Sequence, residues 1–167
     1  RKEAIERLFD IELEFTFSTS EQAWAALVLA LDIQDIQKFF KKWKTSREFA
    51  KTVEQIVEIL RLREKGSLDK RACYKYDKRL LLVAEELREA YGLSVDYLAI
   101  ERVYDSLTIH DKHEVVVNGG MLIKEYGFQP GPALGEVLTE IEYAIVDGEL
   151  ANEKEAIIAY IQQVKEE

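Results

Sequence analysis

The stretch Val117-Asn118-Gly119-Gly120-Met121-Leu122-Ile123, followed by Gly127-Phe128-Gln129-Pro130-Gly131-Pro132-Ala133-Leu134-Gly135, carries more structural information than any other part of the chain. Five of the eight glycines and both prolines lie between Asn118 and Gly135. Glycine permits φ > 0 and close backbone approach, and proline fixes φ at a helix start. The stretch therefore predicts short helices, tightly joined, with amide nitrogens exposed at their starts. Asn118 is placed to cap a helix that Gly127 stops. Pro132 occupies a first-turn position of a helix running to about Val146, which Gly148 ends. Asn152, with Glu155 three residues on, has the spacing of a capping box for a last helix.

Working back toward the N-terminus, the apolar spacing is helical almost throughout. Ser20, Gln22 and Ala23 open an apolar helix holding Trp24, Leu27, Val28 and Leu31, and a second pattern runs from about Asp35 to Lys44. The clearest helix is Arg47 to Glu64: Phe49, Val53, Ile56, Val57 and Leu60 recur on one face of a 3.6-residue period, and Gly66 follows as a stop. A further helix is predicted over about Lys75 to Tyr91, on Leu80, Val83, Ala84, Leu87 and Tyr91, and another over Val95 to Leu107, capped by Ser94. Thr108 to Val117 is the least helical part, with room for an extended piece. The predicted fold is all-α: an irregular helical bundle over residues 1–107 and a smaller helical tail over 108–167, hinged at that segment.

A length of 167 residues suits one domain or two small ones, and 47% apolar with 33% charged residues is the composition of a globular chain. The longest apolar run, Ala23 to Leu31, is far short of the roughly 18 to 20 residues a membrane span needs. No secretory signal pattern opens the chain, so a cytoplasmic setting is expected, and a start at Arg1 without methionine leads us to expect a piece of a longer protein. One cysteine, Cys73, excludes an internal disulfide and a cysteine-rich zinc site.

Net charge is −9, which argues at first against nucleic acid. Its distribution reverses that argument. Residues 38–79 carry net +8, flanked by −5 over 1–37, −4 over 80–107 and −8 over 108–167. A local basic patch can meet phosphates on an acidic protein, because fields are screened within about 8 Å at physiological salt. Within that segment Phe39, Phe40 and Trp43 share a helical face and are expected in the core, which leaves Lys38, Lys41, Lys42 and Lys44 to solvent, with Arg47 close by. Two readings stand there: a solvated helix face, or a phosphate track.

The Pro130-Gly131-Pro132 loop and Gly135 also have two readings. One is a tight turn with Gly135 for close packing. The other is a phosphate contact through helix-start amides, with Asn118, Gly119 and Gly120 as further backbone contacts and Lys124 as a cationic partner. His110, Asp111, His113 and Glu114 invite a metal reading, but zinc needs three or four ligands from spaced elements, so surface hinge residues are expected instead. Cys73 has no partner set for nucleophilic chemistry.

Several motifs taken together have a known counterpart. Asn118-Gly119, Gly127-x-x-Pro130-Gly131-Pro132-x-x-Gly135, Ile141-Glu142-x-Ala144-Ile145-x-x-Gly148-x-Leu150 and Asn152-Glu153-Lys154-Glu155-x-Ile157 hold glycines and prolines at fixed offsets over about Leu107 to Gln163. In this the chain resembles the tail of bacterial CCA-adding enzymes, the class II tRNA nucleotidyltransferases. A weaker likeness to the body of those enzymes covers about Glu21 to Glu64, through Glu21-Gln22-x-Trp24-Ala25-x-Leu27 and Phe39 to Lys44; residues 65–106 match in helical character only. The resemblance implies an all-helical body and tail that hold the acceptor and T arms of tRNA. It implies no catalytic residue, metal or cofactor in this chain. Magnesium and CTP or ATP are implied for the parent enzyme only, in a head whose paired-aspartate signature does not occur in this sequence, nor does the neck's nucleotide-choosing template. The chain alone is therefore not expected to add nucleotides. The rival reading is an acidic helical protein–protein interaction module without RNA affinity.

Overall fold

A computed structural model describes Glu3, Glu6 and residues 15–166. Among these the chain is all-α, with nine α-helices, one short 3-10 helix and no strand. No described helix is long and apolar enough to cross a membrane. The chain divides into two compact units, Arg1–Arg102 and Val103–Glu167.

In the first unit α1 (Ser20–Ala30), α2 (Ile36–Lys42), α3 (Arg47–Glu64), α4 (Lys70–Lys75) and α5 (Lys78–Ala90) lead to α6 (Tyr97–Asp105), inside which the division falls. Five of these starts are fixed by the same local chemistry. The side chains of Thr19, Asp35, Ser46, Asp69 and Asp77 accept from the amides of Gln22, Lys38, Phe49, Ala72 and Arg79, satisfying donors that the first turn leaves open. The amphipathic face predicted for Arg47–Glu64 is the centre of the core. Val53, Ile56, Val57 and Leu60 are buried, and α3 packs on α1, α2 and α5.

Two polar networks lock this bundle. Gln22 is wholly buried in α1: its carboxamide oxygen accepts from Ser18 N (2.8 Å), and its Nε2 donates to Val83 O (2.8 Å) and Glu86 Oε2 (3.1 Å) on α5. Glu85, 1% exposed on α5, accepts from Arg63 Nε at the end of α3 (3.1 and 3.2 Å) and from the Asp96 amide at the start of α6 (3.1 Å). Arg88 lies 3.9 Å from Glu85 and donates twice to Ser94 O.

Some elements differ from their predicted limits. The helix expected over about Lys75–Tyr91 is α5 and starts three residues later, at Lys78, after a separate short helix, α4, that ends at Lys75. Tyr76 is extended and buried, its hydroxyl donating to Glu58 Oε2 (2.7 Å), and Asp77 restarts the chain as α5. Ser94 does not cap α6, because the helix begins at Tyr97 and the cap position falls on Asp96, whose Oδ1 accepts from Ala99 N (2.9 Å).

The second unit holds the 3-10 helix Lys112–Glu114, α7 (Gly119–Tyr126), α8 (Pro132–Val146) and α9 (Lys154–Glu166). Leu122, Leu134, Ile141, Ile145, Ile157 and Ile161 form its core. Asn118 caps α7 through Met121 N (3.0 Å), Gly127 ends it at φ 71, and Pro132 opens α8 at its first position, all as the sequence predicts. The segment expected to hold an extended piece instead carries the 3-10 turn, closed by an Asp111–Glu114 capping box. Asn152 caps nothing: its Oδ1 accepts from Val116 N (3.0 Å) and its Nδ2 donates to Glu114 O (2.9 Å), so it braces that turn.

Removing one partner of a buried ion pair leaves the others uncompensated, at about 3–5 kcal/mol. Glu85→Ala is expected to lower unfolding stability by about that amount in urea denaturation, with Arg63 and Arg88 left buried without their carboxylate.

Candidate nucleic-acid interface

The structure sorts the predicted binding residues into two groups, one in each unit. In the first unit Lys38, Lys41, Lys44 and Arg47 line one open groove of about 580 Å³ with Asp35, Gln37, Phe40, Thr45, Ser46 and Ala50. Helical spacing puts Lys38 and Lys41 on one side of α2, and the turn into α3 adds Lys44 and Arg47. Lys42 is exposed but does not line the groove. Among the described residues no acidic side chain forms an ion pair with any of these five cations. Asp35, the one carboxylate in the groove, accepts from the Lys38 amide (2.9 Å) as the cap of α2. At the same place α3 presents its N-terminus, where the positive end of an 18-residue helix dipole favours an anion.

The connection between α2 and α3 is strained in a specific way. Lys44 has φ 54, in the left-handed region where side chains other than glycine, asparagine and aspartate are uncommon. Thr45 holds the turn, its amide and hydroxyl both donating to Phe40 O (3.4 and 3.2 Å). This turn also overturns one expectation. Of the three rings expected in the core only Phe40 is buried; Phe39 is half-buried, and Trp43 is 67% exposed. The physical reason is that α2 ends at Lys42, so Trp43 is the capping residue and the shared helical face does not extend to it.

In the second unit Asn118, Gly119 and Gly135 line a smaller groove with Lys112, His113, Val115, Val117, Leu138, Thr139 and Glu142. Gly120, Lys124, Gly131 and Pro132 are exposed but do not line it. The four glycines differ. A Cβ at Gly119 would make ordinary van der Waals contact with Leu138 (3.4 Å) and Leu134 (3.6 Å), so the packing of α7 on α8 does not by itself require glycine there. A Cβ at Gly120 would lie 3.3 Å from the Asn118 carboxamide oxygen that caps α7, tighter than an ordinary contact. Gly131 needs φ 148, which L side chains rarely adopt. Gly135 needs neither: it is inside α8 and a Cβ there would meet nothing within 4 Å, which removes the close-packing explanation. α8 has no side-chain cap at its start.

The residues that invited other chemistry are accounted for. Asp111 accepts from His113 N (2.7 Å), and Glu114 from His110 N (2.6 Å) and Asp111 N (2.8 Å), so both carboxylates are engaged by backbone amides. Among the described residues no group of three His, Cys, Asp or Glu side chains is arranged to hold a metal. Cys73 is fully buried, and burial together with Asp69 pushes its thiol up to about 11, away from thiolate chemistry near neutral pH.

Residues 15–161 match the family described as tRNA nucleotidyltransferase domain 2. The chain belongs to that family. It is 60% identical over 164 residues to a CCA-adding enzyme of Streptococcus pneumoniae, across 98% of this chain and 41% of the relative. It is 61% identical over 161 residues to one from Streptococcus sanguinis, across 96% and 40%. A crystal structure of the Bacillus stearothermophilus CCA-adding enzyme in complex with CTP matches at a TM-score of 0.81 and 28% identity, over 90% of this chain and 39% of that one. The chain thus spans about two-fifths of the length of the curated relatives it matches. The family match includes residues 65–106, where the sequence resemblance rested on helical character alone.

Gly135 separates packing from binding. An alanine inside a helix is favoured over glycine by roughly 0.5–1 kcal/mol. Gly135→Ala is expected to raise the melting temperature. If a ligand's backbone approaches that groove closely, the same variant binds RNA more weakly, as titration of both proteins would measure.

Proposed function

We propose that this chain is the tRNA-binding portion of a CCA-adding tRNA nucleotidyltransferase. In this reading residues 1–107 form the body and 108–167 the tail. They hold the acceptor and T arms so that the 3′ end reaches an active site outside this sequence. The observation that carries the reading is the groove of Lys38, Lys41, Lys44 and Arg47: four cations without acidic partners, at a helix N-terminus, in a chain of net charge −9. Similarity to CCA-adding enzymes over nearly the whole chain supports it. Lys42 and Lys124 add exposed charge beside these contacts. In the tail, Asn118, Gly119, Gly120, Gly131, Pro132 and Gly135 would offer backbone rather than charge.

The mechanism is positioning. Contacts go to phosphate and sugar, so the surface recognises A-form shape and fixes register without reading sequence. The positive φ of Lys44 supports a selected charge, because a relaxed backbone there would favour glycine.

The test is titration of the chain with an acceptor–T-arm minihelix and with single-stranded RNA of equal length, over a range of salt. Minihelix binding that weakens linearly in log salt is expected, with little binding of the single strand. Replacing Lys38, Lys41, Lys44 or Arg47 by glutamine is expected to lower the salt slope by about one each. No binding of the minihelix at low salt would sink the reading and favour an acidic protein-interaction module. Lys44→Gly gives a sharper check. Left-handed backbone costs an L residue roughly 1–2 kcal/mol, and glycine's greater freedom when unfolded returns about 0.5–1 kcal/mol of that. The variant is therefore expected to keep or slightly gain stability while losing RNA affinity.

A further inference from the structure

Trp43 is the most exposed large apolar side chain among the described residues, and the packing of the bundle does not account for it. It is not loose. Its amide donates to Phe40 O (3.0 Å), and its ring lies 6.4 Å from that of Phe39, tilted by 55°. Phe39 packs in turn on Phe40 (5.2 Å, edge-on) and on Trp24 (6.4 Å). Trp43 is thus the exposed end of a cluster of rings in which Phe39 and Trp24 are half-buried and Phe40 is buried. The cluster supports the indole from one side and leaves the remainder to solvent.

The surroundings state what the free surface suits. Trp43 lies between Lys42 and Lys44, both exposed and neither ion-paired, and Lys44 lines the cationic groove. A π-surface bordered by cations is poorly matched to an apolar protein partner, whose docking would strand those charges. It is well matched to a nucleotide, whose base stacks on an aromatic face while the adjoining phosphates meet the lysines.

We infer that the indole of Trp43 stacks on an unpaired base of the RNA whose phosphates occupy the Lys38–Lys41–Lys44–Arg47 groove. This rests on the RNA-binding reading above and adds a contact of a different kind. Paired bases in a duplex offer their faces only at an end, so the site distinguishes RNA with a splayed or overhanging base from blunt duplex carrying the same phosphates.

The experiment compares the chain with its Trp43→Ala and Trp43→Phe variants. Each is titrated with a blunt RNA duplex, with the same duplex bearing a short single-stranded overhang, and with adenosine monophosphate. Indole fluorescence and affinity are both followed. Trp43→Ala is expected to bind the overhang RNA about tenfold more weakly and the blunt duplex within twofold of the unaltered chain. Its salt slope should be unchanged, because stacking releases no counterions. Trp43→Phe should recover most of the affinity, and the overhang RNA should quench Trp43 more than the blunt duplex does. Equal affinity of Trp43→Ala and the unaltered chain for the overhang RNA overturns the inference while leaving the groove reading intact. So does an equal loss on both RNAs, or quenching by the mononucleotide without discrimination between the RNAs. Failure of the unaltered chain to bind either RNA overturns both readings.

Discussion

The buried carboxylate of Glu85 is the constraint on which the first unit depends. It receives the Arg63 guanidinium from the end of α3 and the Asp96 amide from the start of α6, with Arg88 beside it on its own helix. A carboxylate taken out of water is tolerated only when its lone pairs are satisfied in good geometry. This one fixes three elements at once. Its effect reaches the functional surface through α3, a helix of 18 residues and about 27 Å at 1.5 Å per residue. One end of that helix is clamped at Arg63. The other, at Arg47, forms part of the cationic groove. A phosphate contact needs side chains held in register, and a helix anchored at its far end supplies that without any special structure at the contact.

What was legible in the sequence follows from the range of the forces involved. Caps and stops are local, so Asn118, Gly127, Pro132 and Gly148 are where the sequence puts them, and the apolar period of Arg47–Glu64 gives that helix with its limits. Local rules fail where a distant partner competes for the same group. Asn152 has the spacing of a capping box, but its carboxamide serves Val116 and Glu114 instead. The box that exists, Asp111 with Glu114, has the same three-residue spacing in the sequence, in a segment whose residues were expected only as a surface hinge. The helix expected from about Lys75 starts only at Lys78, because Tyr76 is buried against Glu58, more than a dozen residues earlier.

The cationic groove was legible as composition and not as geometry. The basic segment names Lys38, Lys41, Lys42 and Lys44 together, and only the turn after α2 decides that Lys44 joins Lys38 and Lys41 in a groove while Lys42 does not. The same turn exposes Trp43, which helical periodicity alone assigns to the core. The end of α2 at Lys42 leaves Trp43 at the rim, and the left-handed backbone at Lys44, for which the residue type gives no warning, turns the chain into α3. Glu85 and Arg88 could have been found: they fall at i+4 and i+7 from Leu81 on a buried face, where an acidic and a basic side chain together signal a satisfied internal network.

The two units answer the chain's acidity in different ways. Phosphate recognition by cations depends on local field, and screening over about 8 Å confines the influence of the surrounding carboxylates. The first unit can therefore work with net charge against it, provided its cations are not neutralised by pairing, and the groove residues are not. The second unit has four basic residues against twelve acidic ones between 108 and 167, and cannot rely on charge. In the proposed reading what it offers is an uncapped helix start at Gly131 and Pro132. Amide donors hydrogen-bond a phosphate oxygen through fixed dipoles at short range, and the acidic side chains around them then disfavour anions placed anywhere else. In the proposed reading this makes the acidic surface part of the selectivity: it leaves a polyanion few places to rest, and those places are defined by backbone geometry.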